Sequence, residues 1–327
     1  MQAAIFETPG KPLQVREMPI PTIKDGELLL QVEACGLCRT DLHILQGELI
    51  PPHTPLIPGH QIVGIVKESS SKSRFKKGER VGVGWLGKTC ANCYFCQNNL
   101  ENLCDTPELT GYSIHGGLAE FAKVHEDFAF PLPQDIEAVK LAPLLCPGLI
   151  GYRAYKMCKE VRTIGFFGFG ASAHLLIQVA ISEGRRVFAF VKPEGKQKAI
   201  DAQELGASWT GTSDDFPPEP LDAIIIFAPL GDLVPKALMR VRKGGAVILA
   251  GIHMSDIPSF PYRVIFEEKS LKSVANLTRK ESAEFLEIAK KLPVKTFTES
   301  YRLSEINEAF HQMQTGKVRA SCVIRFP

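Results

Sequence analysis

The pattern of apolar and polar positions changes character near residue 147. In residues 1–147 short apolar runs at 27–34, 61–67, 79–83 and 118–124 are separated by Lys24-Asp25-Gly26, Pro58-Gly59 and Lys77-Gly78. Short strands punctuated this way predict a small β-barrel or sandwich. Beyond Gly148 the rhythm becomes strand, helix, strand, helix. Runs 163–167 and 186–191 are β-like around an amphipathic helix, and buried-strand runs 221–228 and 246–250 flank a helical stretch at 232–242. That alternation predicts a parallel, doubly wound α/β sheet. Past Ala275 come a helix (281–291), a strand, a helix (304–315) and a last strand (320–326).

The 327 residues suffice for two domains, each with its own core. A net charge of +2 gives no electrostatic reason for a nucleic-acid or anionic-membrane partner. The opening Met1-Gln2-Ala3-Ala4-Ile5-Phe6-Glu7 lacks the basic and long apolar regions of a signal peptide. No run of about 18 apolar residues predicts a membrane span. The expected compartment is the cytoplasm, where thiols stay reduced.

Cysteine spacing carries the first chemistry. Cys90, Cys93, Cys96 and Cys104 form C-x2-C-x2-C-x7-C in an Asn-rich segment. Four thiolates clustered so closely predict a closed, structural Zn²⁺ site. Adjacent Cys-x2-Cys pairs would make strained disulfides, and nothing else points to secretion. Cys35, Cys158 and Cys322 read as small buried apolar residues.

The 163–167 strand runs into Gly168-Phe169-Gly170-Ala171-Ser172-Ala173, a G-x-G-x-x-A string that opens a helix. Alone the string is weak, but between a strand and an apolar-faced helix it predicts a dinucleotide site. Gly168 makes the turn, Gly170 admits the pyrophosphate to the backbone, and Ala173 packs helix on sheet. His174 reads as a packing residue. The next strand ends at Val191-Lys192, where an NAD-selective site carries a carboxylate for the ribose. The missing carboxylate, with Lys196 and Lys198 nearby, leans toward NADP(H) over NAD; the same lysines also suit a solvated first helical turn.

A second donor set is scattered through Cys38-Arg39-Thr40-Asp41-Leu42-His43, Pro58-Gly59-His60-Gln61 and Leu145-Cys146-Pro147. Together Cys38, His60 and Cys146 make Cys₂His, a three-ligand set that leaves a fourth zinc position open.

These segments resemble, over essentially the whole chain, the zinc-dependent alcohol dehydrogenases of the medium-chain dehydrogenase/reductase superfamily. The G-x-C-x-T-D-x-H run, G-H-x-x-x-G, the four-Cys lobe, the junction Cys146 and the strand-anchored fingerprint occur in the family's order. The resemblance implies a GroES-like catalytic domain (1–147), a Rossmann domain (148–275) and a segment returning to the catalytic domain (276–327). It implies two zinc ions, with Cys38, His60 and Cys146 holding the catalytic one. Asp41 would orient His60, and Arg39 would meet the cofactor pyrophosphate. Thr40 would bond the substrate oxygen and His43 would relay its proton to solvent. Zinc brings an oxygen acid from a pKa of about 16 toward 7, worth roughly 12 kcal/mol. A homo-oligomer, dimer or tetramer, is the family habit.

Two residues depart from the family pattern. Gln61 stands where a Glu usually neighbours the ligand His, and Ile150 where a small hydroxyl residue usually lies near the nicotinamide. Leu49, Trp85 and Leu86 resemble pocket-lining positions, and a Trp there favours small primary alcohols. The rival readings are an NADPH-dependent aldehyde reductase of the cinnamyl-alcohol-dehydrogenase type, supported by Val191-Lys192, a zinc-free quinone reductase, which the full ligand set opposes, and a non-catalytic zinc-binding relative.

Overall fold

A computed structural model of the chain describes residues 1–292 and 294–327. The chain divides into two compact units: Met1–Leu149 with Asn276–Lys290 and Thr296–Pro327, and Ile150–Ala275 with Lys291–Lys295.

The first unit is built on a seven-stranded sheet centred on Glu27–Leu37 and Gln61–Ser69. Glu27–Leu37 pairs antiparallel with Gln61–Ser69, Phe121–His125 and Ser321–Arg325. Its register against Gln61–Ser69 shifts at Leu29/Leu30 and at Val32/Ala34, and such irregularities let a long strand curl into a GroES-like barrel. Alternate side chains fill one core with Leu28, Leu30, Ile62 and Val81, and the returning segment adds Ile306, Phe310 and Ile324 to it. The predicted strand at 118–124 starts later, at Phe121, because Leu118 and Ala119 bond the N-terminal strand instead.

The second unit is a Rossmann sheet of six parallel strands. Their order is Trp209–Gly211, Arg186–Phe190, Thr163–Phe167, Leu221–Ile226, Val241–Leu249 and Ser270–Ser273. Leu221–Ile226 is buried at every position, as a strand covered on both faces must be. The strand order reverses beside Thr163–Phe167, the switch point where such sheets bind ligands. One predicted element is corrected: the helix expected at 232–242 ends at Leu238, and the next strand begins at Val241. Val241 pairs with Leu221, and the left-handed Gly244 lies in the bulged stretch before pairing resumes at Ala246. Among the described residues no helix is long and apolar enough to cross a membrane.

Candidate active site

Glu27–Leu37 delivers the chain to Cys38, which caps the helix Arg39–Gln46. The cap is reciprocal: Cys38 Sγ accepts from Thr40 N–H at 3.3 Å, and Cys38 N–H donates to Asp41 Oδ2 at 3.0 Å. A cysteine thus does what Ser or Thr does in a capping box, with Asp41 as the returning acid. Gly36 pairs with Gln61 across the ladder, so the register sets His60 opposite the Cys38 turn. Cys146 follows the short turn Ala142–Leu145, whose Leu145 side chain lies against Gly82 of the strand Arg80–Val83, the partner of Gln61–Ser69. A Cβ on Gly82 would sit 2.5 Å from Leu145 Cδ2.

Three separated segments therefore bring the donor atoms of Cys38, His60 and Cys146 within 4.8 Å of one another. Cys38 Sγ lies 3.2 Å from His60 Nε2. The other ring nitrogen of His60 is 3.2 Å from Asp41 Oδ1, close enough for charge pairing but poorly aligned for a full hydrogen bond. His60 and Asp41 are completely buried. Burial opposes a thiolate at Cys38, yet the Cys146 thiol, the His60 ring and Thr40 hold its pKa well below the ordinary range. Burial likewise opposes a charged His60, but Cys38 and Asp41 outweigh it and hold the imidazole well above its usual value. The hydrogen bond to Cys38, then burial, pushes Cys146 well up. Burial raises Asp41, partly countered by His60. Two soft sulfurs and an imidazole nitrogen, converging where charge is costly, fit a dication that replaces their protons.

Thr40 is buried on the first turn of the same helix, and His43 is its i+3 neighbour. Arg39 is exposed at the helix start. His43 Nδ1 lies 2.5 Å from Glu48 Oε2, a partner that sequence reasoning missed. Gln61 is buried, with its Oε1 toward Gly36, where an added Cβ would meet it at 2.5 Å. Among the described residues, Gln61 Nε2 has no hydrogen-bond partner. The Trp85 ring stands edge-on to His60 at 4.8 Å, whereas Leu86 is fully buried and its strand pairs with Leu109. Leu49 is half-buried, packs against the barrel core and donates its N–H to His43 O at 3.1 Å.

The four-Cys lobe is compact: the sulfurs of Cys90, Cys93, Cys96 and Cys104 all lie within 4.8 Å of one another. Cys93 N–H donates to Cys90 Sγ, and Cys90 N–H to Cys104 Sγ, each at 3.4 Å. Backbone N–H groups of Asn92 and Cys93 lower the Cys90 pKa to about 6. All nine cysteines are free thiols, and a tetrad of sulfurs fits a closed zinc site.

In the second unit Gly168 adopts φ +92°, and its N–H donates to Phe190 O at 2.9 Å. Gly170 caps the helix Ala171–Ser182, and a Cβ there would meet nothing within 4 Å. The backbone at this helix N-terminus is thus open enough to admit an anion. Ala173 is fully buried. Val191 is half-buried, Lys192 is exposed, and no acidic residue ends that strand. His174 is buried and bonded to Lys295 O at 3.0 Å. Ile150 is half-buried at the start of this unit.

A barrel unit with a Cys–His–Cys centre and a Rossmann unit with a glycine fingerprint define a nucleotide-linked dehydrogenase class. Residues 24–134 match the family described as the alcohol dehydrogenase GroES-like domain. The chain is 38% identical over 322 residues to a probable alcohol dehydrogenase, AdhA, of Mycobacterium tuberculosis, covering 96% of this chain and 92% of that one. It is 33% identical to an alcohol dehydrogenase of Geobacillus stearothermophilus, with 99% of each chain covered. The structure of CAD from Helicobacter pylori complexed with NADP(H) shares the fold, with a TM-score of 0.89 at 23% identity over 99% of this chain and 97% of that one. The chain belongs to the zinc-type medium-chain alcohol dehydrogenases and is an oxidoreductase.

Proposed function

We propose that the protein is a zinc-dependent alcohol dehydrogenase that moves hydride reversibly between a primary alcohol or its aldehyde and NAD(P). The observation that carries this reading is the convergence of Cys38, His60 and Cys146 beside the helix holding Thr40 and His43. Zinc held by those three residues would supply Lewis acidity toward the alcohol oxygen, and the nicotinamide would accept the hydride.

The chain's own groups handle the proton. The Thr40 hydroxyl accepts the alcohol proton as it passes its own to His43, one turn along the helix. Glu48 takes the Nδ1–H of His43 as its hydrogen-bond donor, which leaves Nε2 to receive the proton. Asp41 orients His60, as carboxylates behind ligating histidines do. A bound nicotinamide would take the carbon-bound hydrogen with its electron pair as hydride, and the alcohol, having given up that hydride and its hydroxyl proton, would become the aldehyde. Gly168, Gly170 and Ala173 would seat a dinucleotide on the second unit, and the exposed Arg39 guanidinium is suited to a phosphate. Trp85 and Leu49 narrow the site toward small alcohols.

Cys90, Cys93, Cys96 and Cys104 would hold a second, structural zinc. The carboxylate-free strand end at Val191-Lys192 favours NADP(H), and this same observation supports a second reading as an NADPH-dependent aldehyde reductase of the cinnamyl-alcohol type. Free thiols suit a reducing compartment such as the cytoplasm, and we infer a homo-oligomer. The test is steady-state turnover of a primary alcohol and aldehyde panel with NAD(H) and NADP(H). Alcohol oxidation that disappears in Cys38→Ser and His60→Ala is the expected result. Full activity in either variant would overturn the reading.

A further inference from the structure

Tyr112 joins two segments that sequence spacing leaves unconnected. Its ring centroid lies 5.8 Å from that of Trp85, whose own ring is edge-on to His60 at 4.8 Å. Its hydroxyl donates to Ile50 O at 2.7 Å, across 62 residues of chain. The segment around Ile50 leaves the helix of His43 through Gly47, and both Glu48 and Leu49 donate N–H to His43 O. One side chain therefore braces Trp85 on one side and the Leu49 segment on the other.

The turn carrying Tyr112 is itself fixed on the His60 approach. Thr110 N–H donates to Trp85 O at 2.9 Å. Leu109 O accepts from the N–H groups of Tyr112, Ser113 and Ile114, closing the turn. Gly111 and Gly116 lie against the Gly59 backbone so tightly that a Cβ would stand 2.7 Å and 2.0 Å from its atoms. His53 adds a second clasp, with Nε2 3.0 Å from Ser113 O. The brace thus rests on the residue that precedes His60 and has little freedom of its own.

We propose that Tyr112 is a specificity-determining positioning residue. Its ring holds Trp85 edge-on to His60, and its hydroxyl holds the Leu49 segment against the same wall. Together they restrict the alcohol to a short, narrow carbon chain. The inference rests on the reading of Trp85 and Leu49 as pocket walls.

Tyr112→Phe keeps the ring and removes one hydrogen bond, whose net worth corresponds to a change of roughly 2- to 10-fold. The ratio of kcat/KM for benzyl alcohol to that for ethanol should rise about 3- to 10-fold in Tyr112→Phe, chiefly through KM, and further in Tyr112→Ala. In a Trp209→Phe background the only tryptophan is Trp85, since the chain has two. Its emission should become more quenchable by acrylamide when Tyr112 is Ala. Trp85→Ala and Leu49→Ala must each raise the same ratio if the pocket reading holds. An unchanged ratio in those two variants overturns that reading. A raised ratio there with Tyr112→Phe at the wild-type value overturns the role of Tyr112 alone. Tyr112→Phe tests the claim even where Tyr112→Ala fails to fold.

Discussion

Glu48 Oε2 lies 2.5 Å from His43 Nδ1, and the end of their helix makes the pair. Gly47 takes the left-handed conformation at φ +80°, and Glu48 N–H bonds His43 O at 2.9 Å. This is the 6→1 bond of a Schellman motif, so the backbone that ends the helix also returns Glu48 to His43.

If the carboxylate orients the imidazole, Glu48→Ala should lower kcat for alcohol oxidation about tenfold with KM little changed. Glu48→Gln, which keeps an acceptor oxygen, should lose less. In a His43→Ala background the Glu48 change should have no further effect. Additive losses in the double-mutant cycle would show that Glu48 acts elsewhere.

Gln61 is buried next to His60, and among the described residues its amide nitrogen has no hydrogen-bond partner. Gln61→Glu places a carboxylate there, which costs about 1–3 kcal/mol of stability in the metal-free protein. With zinc bound the same charge becomes favourable, and metal affinity should rise about tenfold. Chelator competition and urea melts with and without zinc read both effects. Equal zinc affinity in the two proteins would mean that Gln61 does not act on the metal.

If the strand end at Val191 faces the cofactor ribose, Val191→Asp adds a carboxylate there and should shift the kcat/KM ratio toward NADH, because the new charge repels a 2′-phosphate. A wild-type protein that already prefers NADH tenfold would remove the NADP(H) assignment and leave the fingerprint untouched.

His115 accepts the Ile57 N–H at Nδ1, 3.2 Å away. Burial, then His53 and Lys123, hold its pKa below the ordinary imidazole value. The unfolded chain therefore takes up this proton at higher pH than the folded chain. The contribution is fully present above about pH 6.5 and is lost as pH falls toward the lower folded value. His115→Gln should show a shallower fall in Tm than wild type between about pH 7 and pH 5. Parallel Tm curves would contradict this linkage.

What was legible in the sequence followed the range of the interactions. The four-Cys lobe and the glycine fingerprint are local, so spacing alone groups their residues. Parallel strands such as Leu221–Ile226 are continuous apolar runs and stand out for the same reason. Cys38, His60 and Cys146 span more than 100 residues. Spacing does not group them, and only their donor types and the resemblance joined them; in the fold it is the Gly36–Gln61 register and the Leu145–Gly82 contact that gather them. The His43–Glu48 pair had a readable signal, the Gly47 stop, although its meaning depends on a turn geometry. Tyr112 and Ile50 had none, because a side-chain bond to a distant carbonyl leaves no period or motif. The 232–242 helix was overextended because the apolar spacing around Val241 serves a helix or a strand equally until Leu221 pairs with it.

The proposed function requires one open and one closed zinc site per chain, and elemental analysis of protein purified without chelator counts the ions. Wild type should contain about two zinc ions per chain. Cys146→Ala should keep about one, with no alcohol oxidation. Cys96→Ser should lose the other, and its Tm should fall by about 5–10 °C. A fully folded wild type with one zinc or none, or a Cys146→Ala variant that keeps both ions and its turnover, would contradict the account.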